Sequence, residues 1–227
     1  MSRQLTAYDA KRPALTKRGE ATRRRILEAA TDLIFDQGAT STTLDEVRAV
    51  TRTSKSQLYH YFADKSDLVR AVIEHQTQRM IDAQRPLIDE IESFEDLVAW
   101  RDHLVTLQRD RRCGGGCPLG SLAGELADVD ETARLDLVRA FDHWQGHLLR
   151  GLTRMRDRRE LRADADPDAL ATAIMAGLQG GFLLSQTMRS ARPLAIALDA
   201  ALTYVRSHLA PETRSSGLQT RDSERSR

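Results

Sequence analysis

The sequence predicts an all-α protein, a small three-helix head on a larger helical body, and three observations carry that prediction. Apolar residues recur at intervals of three and four along most of the chain, and no stretch shows sustained β alternation of aromatic and β-branched residues. The breaks between these stretches carry helix-stopping or helix-starting chemistry. They are a polar turn at 51–54, Pro86, the run Cys113-Gly-Gly-Gly-Cys117-Pro118, and Pro167 and Pro193, which suit a first helical turn. Two short helices on either side of the 51–54 turn give the outline of a helix-turn-helix over about 43–62.

In the first helix of that pair, Leu44, Val47 and Val50 lie three apart on one face. Thr43 is a good N-cap, and Glu46 three residues later completes a capping box. Ser54 caps the second helix, where Leu58 and Phe62, four apart, point inward. Lys55, Ser56, Gln57, Tyr59, His60 and Tyr61 are left outward or lateral. That set suits a major groove: glutamine pairs with adenine N6 and N7, lysine with guanine or phosphate, and serine and tyrosine with phosphate oxygens. A helical hairpin with a solvated polar face fits the same pattern.

Beyond the head, a helix is expected over 66–84 on Leu68, Val72 and Ile73, ending before Pro86. Another spans 93–111, with Leu97, Trp100, Leu104 and Leu107 on one face, and a short one spans 119–127. A long helix over 130–160 would turn Leu135, Val138, Phe141, Leu148 and Leu152 inward. Helices over 167–189 and 192–209 form a final pair. Residues 211–227 are polar and poor in apolar side chains, so a disordered tail is expected there.

Overall charge is uninformative, at 34 basic against 33 acidic side chains. Divided along the chain it is not: residues 1–65 hold 12 basic and 8 acidic groups, a net +4, and the remainder 22 and 25, a net −3. A basic head on a neutral or acidic body suits a nucleic-acid-binding end. Lys11, Arg12, Lys17 and Arg18 are expected to precede the first helix as a basic arm over 1–17, reaching a minor groove or serving only as a solubilising tail. A hydrophobic content of 41% is ample for a core. No run approaches the roughly 18 apolar residues of a membrane span, no signal peptide is evident, and two cysteines make no disulfide scaffold. A cytoplasmic bacterial protein is the expectation.

Residues 20–75 resemble the N-terminal domain of the TetR family of transcriptional repressors. The matching residues are Ile26-Leu27, Ala29-Ala30, Leu33-Ile34-Phe35, Gly38, Thr42-Thr43, Val47, Ser54, Leu58-Tyr59, Tyr61-Phe62, Lys65 and Leu68. The resemblance implies a DNA-binding domain over 18–65 and an effector-binding and dimerisation domain over 66–210. It makes Ser54 to Tyr61 the recognition helix, and puts Tyr59, Tyr61 and Lys65 on phosphates, with Thr43 offering its hydroxyl and free N–H groups to another. The chain departs from the family turn, usually Ala-Gly-Val-Ser, with Thr51-Arg52-Thr53-Ser54. A left-handed Arg52 in place of glycine would cost about 1 kcal/mol. Arg48, also unusual at its position, is like Arg52 either a phosphate contact or simply solvated.

The resemblance implies a homodimer on a palindromic operator, paired through its last two helices. Leu194, Leu198, Leu202 and Val205 repeat at helical spacing, and Gly177 and Gly181 allow close approach. Packing within one chain fits the same residues. A small, largely apolar organic effector is expected in the body. Its candidate lining is Trp100, Leu104, Phe141, Trp144 and His147, with Met175, Leu178, Gln179 and Phe182, all of which also read as plain core. His143 and His147 with Asp142 make only a weak metal signal, and no cofactor or metal is expected.

The segment from Cys113 to Asp128 resembles that of a TetR subgroup with Gly-Cys-Pro-Leu-Gly or a close variant. Cys117, ahead of Pro118, is expected to touch ligand or to carry a thiol of lowered pKa, with Cys113 as its redox partner; a buried structural cysteine is the other reading. Nucleophile elbow, Walker loop and dinucleotide fingerprint are absent from the sequence, so no enzyme is expected. The alternatives to an effector-released repressor are a thiol-based sensor on the same scaffold and a helical adaptor that does not touch DNA.

Overall fold

The computed structural model describes residues 15–211, and nine helices run through them. The head holds α1 (Lys17–Gln37), α2 (Leu44–Thr51) and α3 (Lys55–Tyr61). The body holds α4 (Lys65–Asp82), α5 (Phe94–Asp110), α6 (Pro118–Leu126), α7 (Glu131–Asp157), α8 (Pro167–Met188) and α9 (Arg192–Arg206). Each body helix ends within three residues of its expected bounds.

Local chemistry explains that agreement. The Thr43 hydroxyl accepts from the Glu46 N–H while the Glu46 carboxylate accepts from the Thr43 N–H. The same reciprocal box joins Ser54 to Gln57 and Ser93 to Asp96. Asp64, Asp130 and Asp166 cap α4, α7 and α8. Each satisfies backbone donors that a helix start leaves unpaired. Gly38 closes α1 at φ 89°, and a side chain there would stand 3.0 Å from a Glu125 carboxylate oxygen.

The head is bound by Ile26, Ala30, Val47, Leu58 and Phe62, all buried. Thr51 is also buried, while Val50 is 60% exposed and does not join the inner face expected for it. Lys17 and Arg18 lie in the first turn of α1, capped by Thr16, and so do not belong to an arm preceding it. Lys11 and Arg12 lie outside the described residues, as does the expected tail beyond Pro211.

In the body, α4 packs on α1, α6 and α7, and α8 packs on α7 and α9. The inward face of α7 is Leu137, Ala140, Trp144, Leu148, Leu152 and Met155, with Ala133 and Gly151. Leu135 and Val138, expected inward, are about two-fifths exposed (42% and 43%). Small residues on the true inner line let neighbouring helices approach. A Cβ on Gly151 would come within 2.7 Å of Ile91.

The last pair corrects a further expectation. Leu194, Leu198, Leu202 and Val205 are buried within the single chain. Gly177 faces Ala197 and Ala201, and Gly181 faces Leu194, all on α9 of the same chain. The residues expected to join two chains therefore join α8 to α9. A different apolar surface remains outward: Leu183, Leu184 and Met188 on α8, and Ile196 and Tyr204 on α9. By length and composition α8 could also cross a membrane, contrary to the expectation, yet 44% of its most apolar window is buried by neighbouring helices.

Candidate DNA-reading surface and body cavity

The polar turn takes the left-handed form: Arg52 has φ 52° and ψ 35°. The Thr51 hydroxyl donates to the Val47 carbonyl and lies 2.8 Å from that of Thr53. This pins the backbone between α2 and α3 without a glycine and leaves the Arg52 side chain exposed.

On α3, Lys55, Ser56, Gln57, Tyr59 and His60 are exposed together, with Ser54 just ahead. The Lys55 ammonium lies 5.9 Å from the Tyr59 ring centre. Tyr61 is not outward: it is buried against the head, its ring edge-on to that of His60. Several predicted contacts are occupied in this state. The Gln57 carboxamide oxygen accepts from the Ser54 N–H at 3.1 Å, so Gln57 must leave its capping position to read a base edge. The Thr43 N–H and hydroxyl both donate to Glu46, at 2.7 and 2.8 Å. They are not free for a phosphate, and those bonds hold the Glu46 carboxyl below its ordinary pKa. Lys65 donates to the Thr40 carbonyl at 2.7 Å, tying the start of α4 to the α1–α2 loop. Arg48 pairs with Asp45 at 3.1 Å.

Head and body share a further tie that the sequence reading missed. Glu125 of α6 accepts from the N–H groups of Ala39 and Thr40 at 2.8 and 2.5 Å. Burial would raise its pKa, but those backbone donors outweigh it and hold the carboxyl below its ordinary value. A carboxylate with a depressed folded-state pKa stabilises above its ordinary value, and that contribution is lost as pH falls through the folded one. Glu125→Ala should therefore speed hydrogen exchange at the Ala39 and Thr40 amides at neutral pH. The wild-type protection should fade only when the pH falls below the ordinary carboxylate range, through the lowered pKa of Glu125, and unchanged exchange in the variant would contradict the tie.

A cavity of about 650 Å³ lies beside this tie. Its walls come from α1 (Thr31, Phe35), α4 (Gln76, Met80), Gln84 just past the end of α4, α5 (Leu104, Gln108), the glycines 114–116, Pro118 and Phe182. A smaller cavity of about 170 Å³ shares Thr31, Phe35, Gln76, Gly115 and Pro118 and reaches Glu125. Gly115, at φ 82°, lets its loop close on the Phe35 ring, 2.9 Å from where a Cβ would sit.

Only Leu104 and Phe182 of the predicted lining face this space. Trp100 and Trp144 lie one layer behind, both fully buried. Their indole N–H groups donate to one acceptor, the Gln84 carboxamide oxygen, at 3.0 and 3.2 Å. His147 is buried and bonded through Nδ1 to Asp89 at 2.5 Å. Burial lowers the pKa of His147 against that partner's pull. Met175 and Leu178 are core, and Phe141 is half-buried. Gln179 lies by Cys117 and Gly120. Among the described residues no group of three or more metal-ligating side chains gathers.

Both cysteines are free and buried. Cys117 caps α6, its sulfur accepting from the Gly120 N–H at 3.4 Å. Burial nevertheless pushes its thiol pKa up, reversing the expected lowering by the helix start.

The sequence holds a usable signal for the missed lining. Gln76 and Met80 stand four apart on α4 and Gln84 keeps the spacing just past its end; Leu104 and Gln108 on α5 and Thr31 and Phe35 on α1 are likewise four apart. Polar residues in register with a buried stripe mark a wall facing something other than packed core.

Comparison with known proteins agrees with this layout. Residues 26–72 match the family described as bacterial regulatory proteins, tetR family, and residues 94–201 match the tetracyclin repressor-like C-terminal domain. A helix-turn-helix transcriptional regulator from the lacX 3′ region of Lactococcus lactis subsp. lactis is 30% identical, over 72% of this chain and 82% of its own. The transcriptional repressor DhaR of Mycobacterium sp. (strain GP1) is 25% identical, over 84% and 93%. A solved TetR-family regulator from Cytophaga hutchinsonii superposes with a TM-score of 0.74 at 17% identity, covering 88% of this chain and 100% of that one.

Proposed function

The chain belongs to the TetR family of bacterial transcriptional regulators, and from that premise we propose that it is a dimeric repressor released from a palindromic operator by a small organic effector. The observation that carries the reading is the shared wall. Thr31 and Phe35 of α1, in the head, line the same cavity as α4, α5 and α8 of the body. A molecule entering there presses on the helix that supports α2 and α3.

Base reading falls to the exposed face of α3, with Gln57 as the adenine reader and Ser54, Lys55, Ser56, Tyr59 and His60 around it. Arg52 and Lys65 serve the phosphates. Thr43 joins them only if a phosphate displaces Glu46. The DNA-binding domain runs over 18–65 and the effector and dimerisation domain over 66–210.

Dimerisation uses the outward line of α8 and α9. Ala176, Gly180, Leu184 and Met188 stand four apart on α8, and Ile196, Ala200 and Tyr204 do so on α9, all exposed. Two such faces make a self-complementary interface about a two-fold axis. Release follows if the effector binds the DNA-incompetent arrangement more tightly than the competent one. The Glu125 tie to Ala39 and Thr40 offers the mechanical link, because α6 borders the cavity and holds the head loop.

The roles on α3 and α4 separate in a binding assay on DNA from upstream of the protein's own gene. Gln57→Ala should relax preference at one base pair per half-site, by about 1–3 kcal/mol for a lost bidentate contact. Lys65→Ala should weaken all sequences alike and flatten the salt dependence by about one counterion. If Lys65→Ala alters base preference and Gln57→Ala does not, the assignment is reversed.

A further inference from the structure

The lining of the cavity divides by charge. Its four buried polar side chains, Thr31, Gln76, Gln84 and Gln108, are all uncharged. Its charged side chains, Asp32, Asp36, Arg79 and Arg111, are all exposed and balanced in sign. Apolar surface comes from Phe35, Met80, Leu104, Leu107, Pro118 and Phe182.

The buried amides are not equivalent. Gln84 is committed, its oxygen to both indoles and its nitrogen to the Met80 carbonyl at 2.7 Å. Gln108 is 2% exposed and Thr31 3%, and among the described residues neither the Gln108 amide nitrogen nor the Thr31 hydroxyl has a hydrogen-bond partner. Buried polar groups in proteins are nearly always bonded, so two unbonded ones on the wall of one cavity point to a molecule that completes them.

Resting on the reading of this cavity as the effector site, we propose that its ligand is an uncharged, mostly apolar organic molecule bearing a carbonyl-type oxygen, which accepts from the Gln108 amide nitrogen beside the Thr31 hydroxyl. An ion would be stripped of water with no buried countercharge to meet it. A pure hydrocarbon would fill the same space and leave the amide N–H unbonded. The volume of about 650 Å³ accommodates a molecule of two or more rings.

The test is isothermal titration calorimetry of the full chain with four compounds on one two-ring frame: benzophenone, diphenylmethane, diphenylacetate and diphenylmethylammonium. Benzophenone should bind roughly tenfold or more tightly than each of the others, the scale of one well-made hydrogen bond to a buried donor. Gln108→Leu should bring benzophenone down to the level of diphenylmethane without weakening diphenylmethane. Thr31→Val, which keeps the shape of the helix face, should lower benzophenone affinity less and gives a second reading if Gln108→Leu fails to fold. Equal or tighter binding of either ion, ketone affinity unaltered in both variants, or no binding by any of the four would overturn the proposal. The same compounds added to the DNA complex separate it from the regulator reading. Benzophenone that binds through Gln108 yet leaves DNA bound upholds the ligand chemistry and removes the effector role. A charged congener that binds in its place and releases DNA does the reverse.

Discussion

Leu198→Glu should unfold the protein, and Leu184→Glu should leave it folded but monomeric. Leu198 is fully buried on the α9 face that meets α8 in the same chain. A carboxylate there loses its water and finds no partner, at a cost of several kcal/mol on top of the lost leucine packing. That is a large share of the roughly 5–15 kcal/mol that holds a domain folded. Leu184, 47% exposed, lies on the outward line instead. A charge there spoils only a surface that another chain would cover, and the helical circular dichroism should persist. Sedimentation of both variants beside the wild type checks this. A folded, monomeric Leu198→Glu would show that the buried face of α9 joins two chains after all.

Gln84→Leu should destabilise the body by about 2–5 kcal/mol, the cost of stranding two buried indole N–H groups. Trp100 and Trp144 come from α5 and α7, and both depend on one carboxamide oxygen at the end of α4. Gln84→Met, which like leucine offers the indoles no acceptor but keeps a longer, flexible side chain, should cost a similar amount. Urea unfolding followed by tryptophan emission reports on this directly, since the chain has two tryptophans and both are the residues concerned. Equal midpoints for wild type and Gln84→Leu would mean that the indoles find other acceptors.

What the sequence made legible was local. Thr43 with Glu46, Ser54 and the prolines at 167 and 193 act within one turn of helix, so their neighbours in sequence decide their roles. Arg52 was readable for the same reason, because a left-handed residue is needed where α2 turns into α3.

The misreadings concern what covers a face. On α7 the large residues Leu135 and Val138 outweighed Ala133, Ala140 and Gly151, yet the small residues lie on the buried line because neighbouring backbone comes close there. On α9 the stripe Leu194, Leu198, Leu202 and Val205 was apparent, but periodicity does not say whether α8 of the same chain or another chain meets it. The cavity needs α1, α4 and α5 together, and their separation in sequence hid Thr31, Gln76, Gln84 and Gln108. For Cys117 the helix start was readable and the burial that outweighs it was not.

If α3 reads a two-fold operator, the bound DNA should show it. A protection footprint on DNA from upstream of the protein's own gene, taken with the wild type and Leu184→Glu, tests this. One palindromic segment should be protected by the wild type, its half-sites centred one helical turn apart, about 34–36 Å, and Leu184→Glu should lose that protection at the same concentration. Uniform weak protection along the whole fragment, or a single half-site bound equally well by both proteins, would show that α3 does not read a two-fold operator.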